Sequence, residues 1–234
     1  MIIVPAGNPG DYKSPFFQDF IHLNVSMMTS NNALVPDPDK QDDLASSFWQ
    51  WPLLHVGLRM CGWNDDSKYS LQRQIDYFAY TTIVVKYFLL GNPFVYWGST
   101  ASLGIFGLIV AFYTIRWQRG YNDLKPTEID QIHYSGFYPI IGWVLHYLPF
   151  VAMGRVTYVH HYYPALWFAI LVMGFCLDFT TRKLNKQLQW GIFAILYAVI
   201  IALYWLFRAI SFGMVGPSSQ WKHLKWLDSW KMTD

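Results

Sequence analysis

At 234 residues the chain is long enough for one or two domains, but 53% of it is hydrophobic, 19% aromatic and only 14% charged. That balance excludes an ordinary soluble globule and points to a membrane. The basic residues sit in short loops between apolar runs rather than on one polar surface, which excludes nucleic acid as a partner.

Charge is divided along the chain. Residues 1–93 hold six Lys and Arg against nine Asp, and residues 94–234 hold eleven against six acidic residues, as expected of a soluble flank followed by a multi-pass region. Cys61 falls in the flank and Cys176 inside an apolar run, so the two make neither a disulfide framework nor a metal motif. The start, Met1 to Gly7, has no basic segment and no long apolar core, and is not read as a signal peptide. With its first span beginning only near residue 94, the chain reads as the tail of something longer.

Residues 1–15 are rich in Gly, Pro and Asp and read as irregular. Phe16 to Met28 is expected to form a short amphipathic helix with Phe17, Phe20, Ile21 and Val25 near one stripe. Asn24-Val25-Ser26 is a glycosylation sequon that acts only in a secretory lumen; a chance triplet in a helix is the alternative. Asn31 to Lys40 is a turn-rich loop with two prolines. Residues 48–63 gather Phe48, Trp49, Trp51 and Trp63 around His55 and Arg59, a mixture suited to a membrane interface, with His55 read as structural rather than as a ligand.

Four apolar runs follow. Phe94 to Ile115 carries no charge and is long enough to span. Tyr138 to Met153 is short and contains Pro149, so it is expected to be tilted, kinked or only just spanning. Tyr162 to Phe179 and Trp190 to Phe207 complete the set. Loops one (Arg116, Arg119, Lys125) and three (Arg182, Lys183, Lys186) hold most of the basic residues and are therefore assigned to the cytosol. Residues 1–93, the hairpin around Arg155 and the C-terminus then share the lumenal side. The tail, Trp221 to Trp230, is expected to be a short helix in the interface.

The fold so read is an all-α integral membrane protein. A lumenal, partly helical flank (1–93) precedes four transmembrane helices (94–215) and an interfacial lumenal tail (216–234).

Several stretches together resemble one family: Leu23-Asn24-Val25 through Leu34, Trp51-Pro52, Gly57 to Trp63, Tyr87 to Pro93, and the hairpin His160-His161-Tyr162-Tyr163-Pro164-Ala165. They look like the C-terminal part of fungal protein O-mannosyltransferases, which move mannose from dolichyl phosphate mannose to Ser or Thr of secretory proteins. The resemblance implies a GT-C-type glycosyltransferase of the endoplasmic reticulum membrane, a polyprenyl-phosphate sugar donor, secretory protein acceptors, no cofactor or metal, and a heterodimer with another family member. It also implies that the catalytic Asp-Glu pair lies outside this chain, leaving no catalytic residue within it. The fragment alone is therefore expected to be inactive. A non-catalytic membrane subunit beside a full-length transferase, or a truncated gene model, is the alternative. Residues 67–83 depart from the family pattern. Ser67-Lys68-Tyr69 can be encoded by a typical fungal splice donor, so the segment reads as a retained intron, with a genuine lumenal loop as the alternative.

A lipid-phosphate donor presents its anionic head at the membrane surface, where an arginine can grip phosphate with two parallel bonds. Arg155, Tyr158, His160 and His161 are the binding candidates at that depth. The other role open to them is to snorkel and anchor the hairpin. Zinc is disfavoured, because the adjacent histidines point apart with no third ligand spaced with them.

Overall fold

A computed structural model describes residues 15–33, 42–60, 85–216 and 218–232. Cys61 and the atypical stretch 67–83 lie outside the described residues. The chain divides into a small unit, Met1–Gln41 with Met153–Val156, and a large one, Asp42–Ala152 with Thr157–Asp234.

In the small unit, helix α1 (Phe16–Asn32) follows Pro15 and confirms the expected amphipathic helix. The large unit carries the bundle. Helix α2 (Pro93–Gln118) starts on Asn92, whose side chain accepts hydrogen bonds from the Phe94 and Val95 amides, with Pro93 in the first turn, where its missing N–H costs nothing. Helix α3 (Pro126–Gln131) begins where the Glu128 carboxylate accepts the Lys125 N–H. It runs through a π-helical segment, Ile132–Phe137, directly into α4 (Tyr138–Ala152). Helix α5 (Tyr163–Thr181) follows a 3-10 turn at Val159–Tyr162, and α6 (Lys186–Phe212) is capped by the Asn185 side chain on the Leu188 amide.

Three of these helical stretches, Pro93–Gln118, Val159–Thr181 and Lys186–Phe212, are long and apolar enough to cross a membrane by themselves. The fourth differs from the short isolated run expected at residues 138–153. Fifteen residues of α4 span only about 22 Å, less than the roughly 30 Å of a hydrocarbon core. The π segment and α3 extend it into one continuous helical run from Pro126 to Ala152.

Helix α5 is central, packed on both α2 and α4, with Ala165, Ala169 and Val172 fully buried. Gly136 lets the π segment approach α2, since a Cβ there would meet the Phe106 ring at 2.3 Å.

The mainly helical fold also holds a small antiparallel sheet that the sequence reading did not anticipate. Strands β1 (Leu58–Met60), β2 (Val85–Leu89) and β3 (Met214–Val215) pair in that order, with Leu58 opposite Leu89 and Val85 opposite Val215. The last pairing ties the segment entering α2 to the segment leaving α6, so the bundle starts and finishes at one end. Gly213, at φ +122, makes the turn out of α6.

That end is closed by the flank and the tail. Trp51, Phe88, Tyr162 and Trp230 share one buried cluster. The Trp51 indole donates to Ser46 Oγ at 2.9 Å, Trp230 to the Leu54 carbonyl at 2.8 Å, and Trp97 to the Leu53 carbonyl at 2.8 Å. Leu54 adopts a left-handed φ of +50, held by its burial and by the Trp230 bond. Two expectations change here. Trp51 belongs to the core rather than to an interfacial belt. The tail forms a 3-10 turn, Ser218–Leu224, and then inserts Trp230 and Met232 into the same core instead of lying apart as a surface helix. A tryptophan finds more apolar area against other rings than at a wet surface, provided its N–H has an acceptor. Trp49, Trp97 and Trp226 stay exposed at this end, as amphipathic rings at a membrane boundary do.

The opposite end holds the short basic loops. Arg116 pairs with Asp123 through both carboxylate oxygens and lies over the Tyr121 ring. Arg182 pairs with Glu128 at 3.1 Å, and Gln131 donates to Asp178 at 2.8 Å.

Candidate functional site

The 3-10 turn at Val159–Tyr162 sets the geometry of the site. Val159 and Tyr162 are its buried anchors, so the intervening His160 turns to solvent and His161 is half-buried. The Tyr158 N–H donates to His161 Nδ1 at 3.1 Å, which fixes that ring against its own turn. Trp51 stacks on His161 at 6.3 Å between centroids and Phe150 lies 5.1 Å away. On the outer side the two imidazoles stack at 4.3 Å, and Tyr158 lies nearly parallel to His160 at 5.7 Å. Three of the four predicted binding residues thus form one ring stack, contrary to the expectation that neighbouring histidines point apart.

A carboxylate completes it. The Tyr158 hydroxyl donates to Asp42 Oδ2 at 2.5 Å, and the Leu44 amide donates to Oδ1 at 2.9 Å. Hydrogen bonding by Tyr158 first and by Leu44 next holds the Asp42 carboxyl below its ordinary range, with Lys231 adding attraction. Asp42 is 116 residues from Tyr158 in the chain, and sequence reasoning missed it. No motif spacing could have found it. Hydrogen bonds that favour the ionised form make this carboxylate a weaker proton acceptor than a free one.

Beside Asp42 is a cavity of about 240 Å³ lined by Asp43, Leu44, Gly57, Arg59 and Lys231. Arg59 donates to the Lys231 carbonyl at 2.5 Å, and the Lys231 ammonium reaches the Asp43 carbonyl at 3.1 Å. This rim was also invisible in the sequence, because it joins the flank to the tail.

Arg155 belongs to the small unit. Its Nη1 donates to Asn31 Oδ1 at 2.6 Å and its Nε to the Val156 carbonyl at 3.3 Å. Two of the five guanidinium N–H donors are engaged by these bonds, leaving a fork with donors to spare for an anion. Asn24 sits in the middle of α1, where its Nδ2 donates to the Phe20 carbonyl at 2.7 Å. His55 packs its ring on Trp49 at 6.0 Å, and Asp178 is at the far end of α5.

The chain matches the family described as the C-terminal four TMM region of protein-O-mannosyltransferase over residues 16–230. It is 45% identical to dolichyl-phosphate-mannose–protein mannosyltransferase 2 of Candida albicans, an alignment covering 100% of this chain and 30% of that protein. It is 45% identical to dolichyl-phosphate-mannose–protein mannosyltransferase 6 of Saccharomyces cerevisiae, across 93% of this chain and 26% of that one. The structure of the S. cerevisiae protein O-mannosyltransferase Pmt1-Pmt2 complex bound to the sugar donor is similar at a TM-score of 0.74 and 27% identity, over 96% of this chain and 29% of that chain. The chain spans less than a third of the length of these relatives.

Proposed function

We infer the function from a plain premise, that this chain belongs to the protein O-mannosyltransferase family: it serves as the C-terminal membrane module of an enzyme that moves mannose from dolichyl phosphate mannose to Ser or Thr hydroxyls of secretory proteins. The observation that carries this reading is the 45% identity to a named mannosyltransferase over the entire chain. The endoplasmic reticulum is the compartment, with the flank, hairpin and tail in the lumen. Pairing with a second family member is supported by likeness to a two-subunit complex.

Transfer breaks the bond between mannose C1 and the phosphate oxygen and forms a bond from C1 to the acceptor oxygen. The departing dolichyl phosphate gains negative charge, and the acceptor hydroxyl gives up a proton. Groups of this chain suit the first event. The outward imidazole of His160 offers an N–H donor to a lipid phosphate, with Tyr158 and His161 holding the turn that presents it. The Arg155 guanidinium, in the small unit, is by itself a second candidate donor to such a phosphate. The proton acceptor is assigned to the part of the enzyme outside this chain, since Asp42 is committed to Tyr158.

The test is a chimaera in which this chain replaces the matching C-terminal part of the Candida albicans relative. It should transfer labelled mannose from dolichyl phosphate mannose to a Ser/Thr peptide. A chimaera that inserts and assembles normally but transfers nothing overturns the reading.

A further inference from the structure

From Phe16 to Thr29, with Asn24 as the exception, helix α1 divides into an apolar and a polar arc when its residues are projected at 100° per position. One arc of about 200° holds Phe16, Phe17, Phe20, Ile21, Val25 and Met28, and the other holds Gln18, Asp19, His22, Ser26 and Thr29. The apolar arc is bare: Phe16 and Phe17 are 78% and 72% exposed, and Ile21, the least exposed of the six, is still 49% exposed. Six large apolar side chains on one face of a 17-residue helix need a cover.

Three observations choose the cover. The same chain carries helices that cross a bilayer, so lipid is the apolar phase at hand. Asn31, in the last turn of α1, is held by Arg155, which follows Ala152, the end of α4, by three residues. Those three residues reach at most about 11 Å, so the tether is made from a residue that has only just left a membrane helix. Finally, α1 has no Lys or Arg, only Asp19 and His22, so its attraction to a surface rests on apolar area rather than on anionic headgroups. Polar side chains within the apolar arc have bonds of their own: Asn24 turns its amide onto the Phe20 carbonyl, and Asn31 Oδ1 accepts from Arg155.

We propose that α1 lies in the plane of the membrane surface, its apolar arc immersed at the headgroup–acyl boundary of a neutral phospholipid bilayer and its polar arc in water. The helix is an in-plane anchor that holds the Arg155 segment at the depth of the headgroups. A span is ruled out by the continuous polar arc.

The experiment uses the full chain in phosphatidylcholine nanodiscs. Single-cysteine variants on the apolar arc (Phe17→Cys, Phe20→Cys) and on the polar arc (His22→Cys, Ser26→Cys) are labelled with a fluorophore, each after confirming an unchanged elution profile. Brominated phosphatidylcholine should quench the two apolar-arc labels at least threefold more than the polar-arc labels. A water-soluble maleimide should react at least tenfold faster with His22→Cys and Ser26→Cys. Replacing a third of the lipid with phosphatidylserine should leave the quenching ratio unchanged. Equal maleimide rates on both arcs would put α1 in water. Protection of the apolar arc without bromolipid quenching would mean that protein covers it, either a second copy or a partner. Quenching that requires phosphatidylserine would make the contact electrostatic. Each of these three results overturns the proposal.

Discussion

Asp42 accepts hydrogen bonds from the Tyr158 hydroxyl and the Leu44 amide, and both favour its ionised form. Its folded pKa is depressed, so its contribution to stability is present above the ordinary carboxylate value of about 3.9 and is lost as pH falls through the folded value. Tyr158→Phe removes the larger cause, and the Asp42 titration midpoint followed by carbonyl NMR should rise toward that ordinary value; an unmoved midpoint would show that the bond is not what holds it. For Arg155 the expected change is in donor binding. Losing a charge-assisted pair of bonds costs about 1.5–3 kcal/mol, so Arg155→Ala in the active chimaera should raise the KM for dolichyl phosphate mannose by roughly tenfold or more. Asn24 should carry no glycan, because its amide is bonded within a helix and not displayed on a loop, and endoglycosidase treatment should leave the mobility of the chain unchanged. Tyr158, His160 and His161 were legible in the sequence because they are neighbours at the rim of an apolar run. Asp42, Arg59 and Lys231 were not, because their proximity is created by tertiary packing of flank and tail, which leaves no periodic trace.

At the level of elements, the apolar runs announced α2, α5 and α6 because nothing charged interrupts them. The run from Pro126 to Ala152 was truncated in the reading for a physical reason: Gln131 and His133 break the apolar pattern, although Gln131 is satisfied by Asp178 and Glu128 by Arg182. Polar side chains that pair with one another at a helix end do not end the helix. Within this run the π segment buries Ile132 and Gly136, and at Gly136 the Phe106 ring of α2 leaves no room for a Cβ. Gly136→Ala should therefore cost about 1–3 kcal/mol by overpacking, read as a lower melting temperature in detergent. Combining it with Phe106→Leu should recover part of that loss, and strictly additive losses would show that the two do not touch. The tail behaves likewise. Trp230 fills the core and satisfies the Leu54 carbonyl, so Trp230→Ala should cost about 3–5 kcal/mol, more than any cap or surface change.

For the whole molecule, the decisive arrangement is the sorting of its loops. Strand β3 returns to β2, and the turn at Val159–Tyr162 packs with Trp51 and Trp230, so residues 42–60, the hairpin turn and the tail share one end of the bundle. The loops after α2 and α5 share the other, where Arg182 reaches Glu128 across the gap between α5 and α3. Between His160 and Lys183 lies helix α5, 19 residues and about 28 Å long, close to the thickness of a bilayer core. Basic residues favour the cytosolic side. In sealed microsomes an impermeant maleimide should therefore label Lys183→Cys directly and His160→Cys only after permeabilisation. Labelling of both from one side would contradict the sorting itself. Reversed labelling would keep the bundle intact but put the ring stack in the cytosol, away from secretory acceptors. It would thereby remove the topological ground for assigning the hairpin to a lumenal sugar transfer.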